Sequence, residues 1–295
     1  MKRYSPSQTE TFLKCPRKRA LRKLGWEPSR LGKPGLARML GTAFAAGVGA
    51  YNTMRMEGAA PDVGAAAGIA QSVAKQQLMD ADERGMQTSE IDLAQRGRLV
   101  ERAGKLVASY AEQDPIPPQW IIRHVELSLP EWGNARIDLG YENDLGYGVL
   151  DYKSKLTLDP KWFDKEVSRY RLSEQRFFYP AAYGDHVGQT VHRFDICLVI
   201  LEPKFRAHLI PYVVNPSQQA EWLEARTQTW GRMAMSPPDG DTLIDEMAAE
   251  HEDQFGPCEY QKICFDYQGD MGLVAAGGQY VQTQFKETLA NGDKA

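Results

Sequence analysis

Two acidic residues and a lysine stand where a β-hairpin would bring them together. Gly133-Asn134-Ala135-Arg136-Ile137-Asp138 precedes Val149-Leu150-Asp151-Tyr152-Lys153, with the turn signal Asn143-Asp144-Leu145-Gly146 between them. Alternate strand residues share a face, so Asp151 and Lys153 point the same way. A turn centred between Asp144 and Leu145 sets Asp138 opposite Asp151. Like charges opposed across a sheet repel, and they are tolerated when a cation lies between them or one is protonated. Two convergent carboxylates offer hard oxygen ligands to a divalent ion. A lysine beside them serves an attacking water and an anionic phosphate, which together meet the needs of metal-assisted phosphodiester hydrolysis. Alone, the same residues also fit an ordinary surface hairpin, whose Arg136, Asp138, Asp151 and Lys153 form cross-strand pairs worth about a few tenths of a kcal/mol.

The flanking pattern predicts the elements that hold this hairpin. Ser5 caps a first helix, with Pro6 at its first position and Gln8 completing a capping box; Pro16 breaks or restarts it after Cys15. Helices are expected over about 37–56, 62–82 and 89–113. Pro117-Pro118 switches the pattern to strands over 120–129, 132–141 and 147–153. One long helix is expected over 161–183, kinked near its end by Pro180. Strands over 193–201 and 205–214 follow, then a helix from Asn215 to about Met235. The expected fold class is α/β, with a central mixed β-sheet flanked by helices and a helical insertion. The expected segments are N-terminal helices at 1–57, the insertion at 58–116 and a catalytic α/β core at 117–235. A cysteine-bearing segment at 236–267 and an irregular tail at 268–295 follow.

The 295 residues are 42% apolar and 25% charged, the composition of a water-soluble globular protein. No apolar run approaches the ~18 residues of a membrane span, which argues against a membrane partner. No signal peptide is visible, so the expected location is cytoplasmic. The net charge of −4 gives no global case for nucleic-acid binding. The distribution does: Arg17, Lys18, Arg19 and eight further basic residues crowd the first forty positions against Glu10 and Glu27. A solvated helix face explains that segment equally well.

The constellation resembles the PD-(D/E)XK nuclease superfamily and, within it, the RecB-like branch, with its restriction-endonuclease-like core. Asp138 with Asp151-Tyr152-Lys153 matches the core motif. Four more segments fall in the family's order: Ser5-Pro6-Ser7 leading to Phe12-Leu13-Lys14-Cys15-Pro16, then Gly41-Thr42-Ala43-Phe44, then Glu126, then Gln175-x-x-x-Tyr179. The resemblance runs from about residue 4 to residue 265. It implies that Asp138, Asp151 and the carbonyl of Tyr152 hold Mg²⁺ or Mn²⁺, with Glu126 as a possible third carboxylate. Lys153 then orients water or stabilises the transition state, and Gln175 fixes the site and contacts DNA. Tyr179, Arg169 and Arg176 join it as DNA contacts. The implied substrate is DNA, cut in recombination, repair or phage DNA processing, with a helicase or recombinase as candidate partner. Ala45 departs from the pattern, because a histidine usually follows "G-T-x-x" and completes the metal site.

The family also implies a [4Fe–4S] cluster in some members, held by one N-terminal and three C-terminal cysteines. Cys15, Cys258 and Cys264 occupy three of those four positions. The missing ligand falls at Phe255 or near Asp270, and His251 or Asp270 are the atypical alternatives; a lost cluster is the other outcome. Cys197, in an apolar strand, is expected to be a buried thiol. The leading expectation is an exonuclease. The alternative is a catalytically weakened nuclease fold that binds DNA or a partner, favoured by Ala45 and the incomplete cysteine set.

Overall fold

The computed structural model describes residues 3–23, 26–28, 36–83, 93–155, 157–201, 204–235, 252–253, 256–257 and 280–282. The chain divides into two units, one made of Met1–Arg30 with Gln228–Ala295, the other of Leu31–Thr227.

In the first unit, helix α1 (Pro6–Lys14) starts as its sequence dictates. Ser5 caps it, and the Ser5 and Gln8 side chains accept from each other's backbone N–H. Helix α2 (Pro16–Lys23) follows at once, restarted by Pro16. Arg19 lies over the Tyr4 and Phe12 rings, at 4.8 and 5.8 Å from their centroids. Trp230 donates its indole N–H to Thr9 Oγ1 at 3.2 Å. Strand β1 (Trp26–Pro28) completes the N-terminal part.

The second unit is built on one mixed sheet. Three helices precede it: α3 (Leu36–Met56), α4 (Val63–Glu83) and α5 (Leu93–Gln113). Strands β2 (Ile121–Leu129), β3 (Ala135–Asn143) and β4 (Gly146–Lys155) form an antiparallel meander. After helices α6 (Phe163–Arg171) and α7 (Gln175–Val187), β5 (Val191–Ile200) returns parallel to β4. Strand β6 (Arg206–Ile210) pairs antiparallel to it, which gives the sheet order β2-β3-β4-β5-β6. Helix α8 (Pro216–Met235) follows, belonging to this unit as far as Thr227. The expected α/β class with a mixed sheet and flanking helices is therefore observed. No described helix is long and apolar enough to cross a membrane.

Strand alternation sorts the sheet into two faces. Leu139, Tyr141, Leu150, Cys197 and Val199 join buried residues of α3, α4 and α5, including Phe44, Val48, Ala70, Val107 and Tyr110, in one apolar core. The small side chains Ala66, Ala70 and Ala74 of α4 let its backbone close on its neighbours. On the other face α7 covers the hairpin, with the Tyr183 ring directly over Gly140. A Cβ at Gly140 would overlap the ring atoms of Tyr183. Gly140→Ala is accordingly expected to destabilise the fold by about 1–3 kcal/mol, the usual cost of overpacking. Urea denaturation checks it.

One expected element is corrected. The single helix over 161–183 is two helices, preceded by a 3-10 turn at Pro160–Trp162. The break falls at residues 172–174, not at Pro180, which lies inside α7. Ser173 Oγ accepts the Gln175 N–H, and Glu174 is held by the Arg226 guanidinium at 2.9 Å from Nε. These tertiary and local bonds restart the helix at a place where hydrophobic period alone shows no boundary.

Candidate active site

The hairpin register is the one the turn signal demands. Asn143 pairs with Gly146 across the two-residue turn, Glu142 with Tyr147, and Leu139 with Leu150. The next step along both strands is Asp138 and Asp151. Gly146 takes φ +101°, a backbone state that favours glycine. β4 is the central strand, so Asp151 keeps only 5% of its surface exposed.

Two contacts and two nearby tyrosine hydroxyls shape the acidic pair. The Tyr152 backbone N–H donates to Asp138 Oδ2 at 2.8 Å. Lys153 Nζ lies 2.6 Å from Asp151 Oδ2. That oxygen is buried, and the ammonium beside it is what meets its charge. Tyr179, on α7, is near enough that both carboxylates, after burial, hold its hydroxyl in the protonated form. Tyr170, on α6, has its hydroxyl proton held first by burial and next by Glu166, with Asp151 adding to both.

Burial, and then the facing Asp151, push the Asp138 carboxyl up to about 7. The Tyr152 N–H opposes this, and Lys153 more weakly. Burial also raises Asp151, with Lys153 pulling the other way. The two carboxylates share one electrostatic problem, and a divalent cation between them would relieve it. The donor set therefore fits Mg²⁺ or Mn²⁺: hard oxygens from Asp138 and Asp151, with the Tyr152 carbonyl next to Asp151 on β4.

Glu126, the expected third carboxylate, pairs with Arg136. Its Oε2 lies 2.9 Å from Arg136 Nε. Among the described residues, no group of three or more His, Cys, Asp or Glu side chains converges as an ion site. Glu126 still acts on the pair through space, since its charge contributes to the raised Asp138. It also holds φ +51° in the middle of β2, a strained state for a non-glycine residue.

Helix α3 lies on β4 and β2 of the sheet through small residues. A Cβ at Gly41 would meet Ser154 Oγ at 2.6 Å, and one at Gly49 would meet Glu126 Cγ at 3.3 Å. Ala45 lies midway between them, one turn from each, and is half-buried.

The remaining predicted residues fall as follows. Gln175 is the first residue of α7 and shares a helix face with Tyr179. Arg169 is exposed and 3.7 Å from Glu166. Arg176 lies over the Phe177 ring at 4.5 Å, with its Nε buried and without a hydrogen-bond partner. Lys18 donates its backbone N–H to Cys15 Sγ at 3.3 Å, and Cys15 is buried. The Arg17 side chain, Cys258, Cys264, His251, Phe255 and Asp270 lie outside the described residues. Cys197 is a buried thiol, as expected, and burial pushes it up to about 12.

Sequence reasoning missed what stands behind the site. The Tyr152 side chain points away from the carboxylates, to the helical core. Its hydroxyl hydrogen-bonds Tyr110 at 2.7 Å and accepts from Asn52 Nδ2 at 3.1 Å. The partners are 42 and 100 residues away in sequence. Tyr170 and Glu166 of α6 were missed as well; Lys155 of β4 pairs with Glu166 at 2.7 Å.

Residues 3–265 match the family model of the PD-(D/E)XK nuclease superfamily. A solved structure described as "Putative exonuclease", from Eubacterium rectale, aligns at 14% identity and a TM-score of 0.42, covering 91% of this chain and 88% of that one. No curated protein matches the chain.

Proposed function

We propose, since this chain belongs to the PD-(D/E)XK nuclease superfamily, that it is a metal-dependent deoxyribonuclease of the RecB-like branch, acting as an exonuclease. The observation that carries this reading is the facing pair Asp138 and Asp151, with Lys153 on one acid and the Tyr152 N–H on the other.

The chain's own residues divide the work. Asp138 and Asp151, with the Tyr152 carbonyl, would hold Mg²⁺ or Mn²⁺. The bound cation supplies neutralising charge at the scissile phosphate and makes water more acidic. Lys153 places an ammonium where negative charge grows on the phosphate during attack. Its 2.6 Å contact with Asp151 keeps that ammonium at the site before substrate arrives. Tyr179 closes the α7 side with a protonated hydroxyl that can donate to a phosphate oxygen, while the Tyr170 hydroxyl on α6 is engaged by Glu166. Gln175, on the Tyr179 face of α7, and Arg169 and Arg176 nearby, are assigned to the DNA backbone. Arg17, Lys18 and Arg19 are assigned to nonspecific phosphate attraction.

This reading needs no iron–sulfur cluster. Cys15, Cys258 and Cys264 are one thiolate short of the four that such clusters take.

Purified protein incubated with labelled DNA is expected to cleave it with Mn²⁺ or Mg²⁺ and to stop when EDTA is added. End-labelled and circular substrates separate exonuclease from endonuclease action. Cleavage that continues in EDTA overturns the reading. Ala45 favours a second reading, a weakened nuclease fold that holds DNA. Tight binding with no cleavage at any metal concentration is its signature.

A further inference from the structure

The chain leaves the catalytic strand and at once presents an exposed indole. β4 ends at Lys155, and the 3-10 turn Pro160–Trp162 leads into α6. The turn is fixed by Asp159, whose carboxylate accepts the Lys161 N–H at 3.0 Å. Trp162 keeps 51% of its surface in water. Tryptophan is highly buried on average, so an indole this open needs a reason.

Two cations attend it. Lys165 Nζ lies 5.0 Å from the ring centroid and Lys161 Nζ 5.8 Å. Arg169, one turn beyond Lys165 on α6, is exposed. The segment's acids are largely engaged: Asp159 with Lys161 at 3.1 Å, and Glu166 with Lys155 at 2.7 Å. Asp164 is the remaining one, and it is exposed.

The same helix touches the active site. Glu166 pairs with Lys155 of β4, and Tyr170 is within electrostatic reach of Asp151. α6 therefore sets Glu166 and Tyr170 on the side of β4, while Lys165 and Arg169 of α6, with Lys161 and Trp162 of the turn before it, are exposed to solvent.

We infer that Trp162 is a stacking platform for an unpaired base of a single-stranded nucleic acid, whose phosphates Lys161, Lys165 and Arg169 hold as the strand runs along α6 toward Asp151. An indole face accepts any base, which suits a site without sequence choice. Lysines already beside the ring can turn to backbone phosphates with little displacement. Bases inside a duplex are stacked on each other and cannot offer a free face, so the platform selects unpaired strands or frayed ends. The assignment rests on the nuclease reading for its direction toward the carboxylates, but not for the binding itself.

The test uses the full chain, fluorescent oligothymidylate and a duplex of equal length, with affinities measured by polarisation in EDTA so that no cutting intervenes. Trp162→Ala is expected to weaken oligothymidylate binding about 5- to 150-fold, the range for one stacked base. Trp162→Phe recovers most of it, and duplex affinity stays within about twofold. Oligothymidylate affinity unchanged in Trp162→Ala, equal losses on both DNAs, or no oligothymidylate binding by the native chain overturns the platform. With Mn²⁺ added, Trp162-dependent binding without cleavage leaves the platform standing and sinks the nuclease reading. Cleavage that is indifferent to Trp162 does the reverse.

Discussion

Replacing Lys153 by alanine is expected to lower the single-turnover cleavage rate at saturating Mn²⁺ by about 10²–10³-fold, the usual cost of deleting a preorganised charge aimed at the transition state. The loss has a second part. Lys153 is the cation on Asp151, which is 5% exposed. Without it, Asp151 is a buried carboxyl facing another, and burial raises it further. The residual activity of Lys153→Ala is therefore expected to shift to higher pH than that of the native chain. Asp151→Asn removes a ligand and is expected to cost at least as much. A Lys153→Ala protein that keeps activity within tenfold of native would mean the hairpin is not the reacting centre.

Asp138→Asn is expected to do two opposite things. It removes cleavage, because an amide is a poor ligand for a hard divalent ion. It also stabilises the metal-free protein. The folded Asp138 carboxyl is raised to about 7 from an ordinary value of 3.8. A raised acid binds its proton more tightly when folded, so stability falls as pH rises between the two values. The penalty is absent below about 4 and complete above about 7. Asparagine cannot ionise, and its side-chain oxygen still accepts the Tyr152 N–H. In EDTA at pH 8 the variant is expected to melt several degrees higher than native, a gain on the order of 2–4 kcal/mol before allowing for the proton shared with Asp151. The gap should close as the pH is lowered toward 4. Mn²⁺ should raise the melting point of the native protein more than that of the variant, by mass action. A variant less stable than native in EDTA at pH 8 contradicts this account.

Much of the site was legible because its determinants are local. The turn residues Asn143 to Gly146 set the register, and the register alone places Asp138 against Asp151. The Ser5 and Gln8 capping box is likewise written within four residues. What escaped depends on distant partners. The helix break at residues 172–174 is held by Glu174 and Arg226, which are 52 residues apart. Glu126 was read by its place on the strand before the hairpin, but its positive φ and its Arg136 partner come from the three-dimensional setting. The exposure of Trp162 was equally invisible, since an aromatic at a helix start is normally core.

Tyr152 splits its two halves between unrelated duties. Its amide serves Asp138, while its phenol belongs to Asn52 and Tyr110 in the helical core. Any amino acid except proline carries that amide. Evolution or an engineer can thus exchange the ring for another that suits the interior and leave the donor to Asp138 intact. Proline alone would strike the acid directly, so position 152 is permissive toward chemistry and demanding toward folding, the inverse of its neighbours on either side.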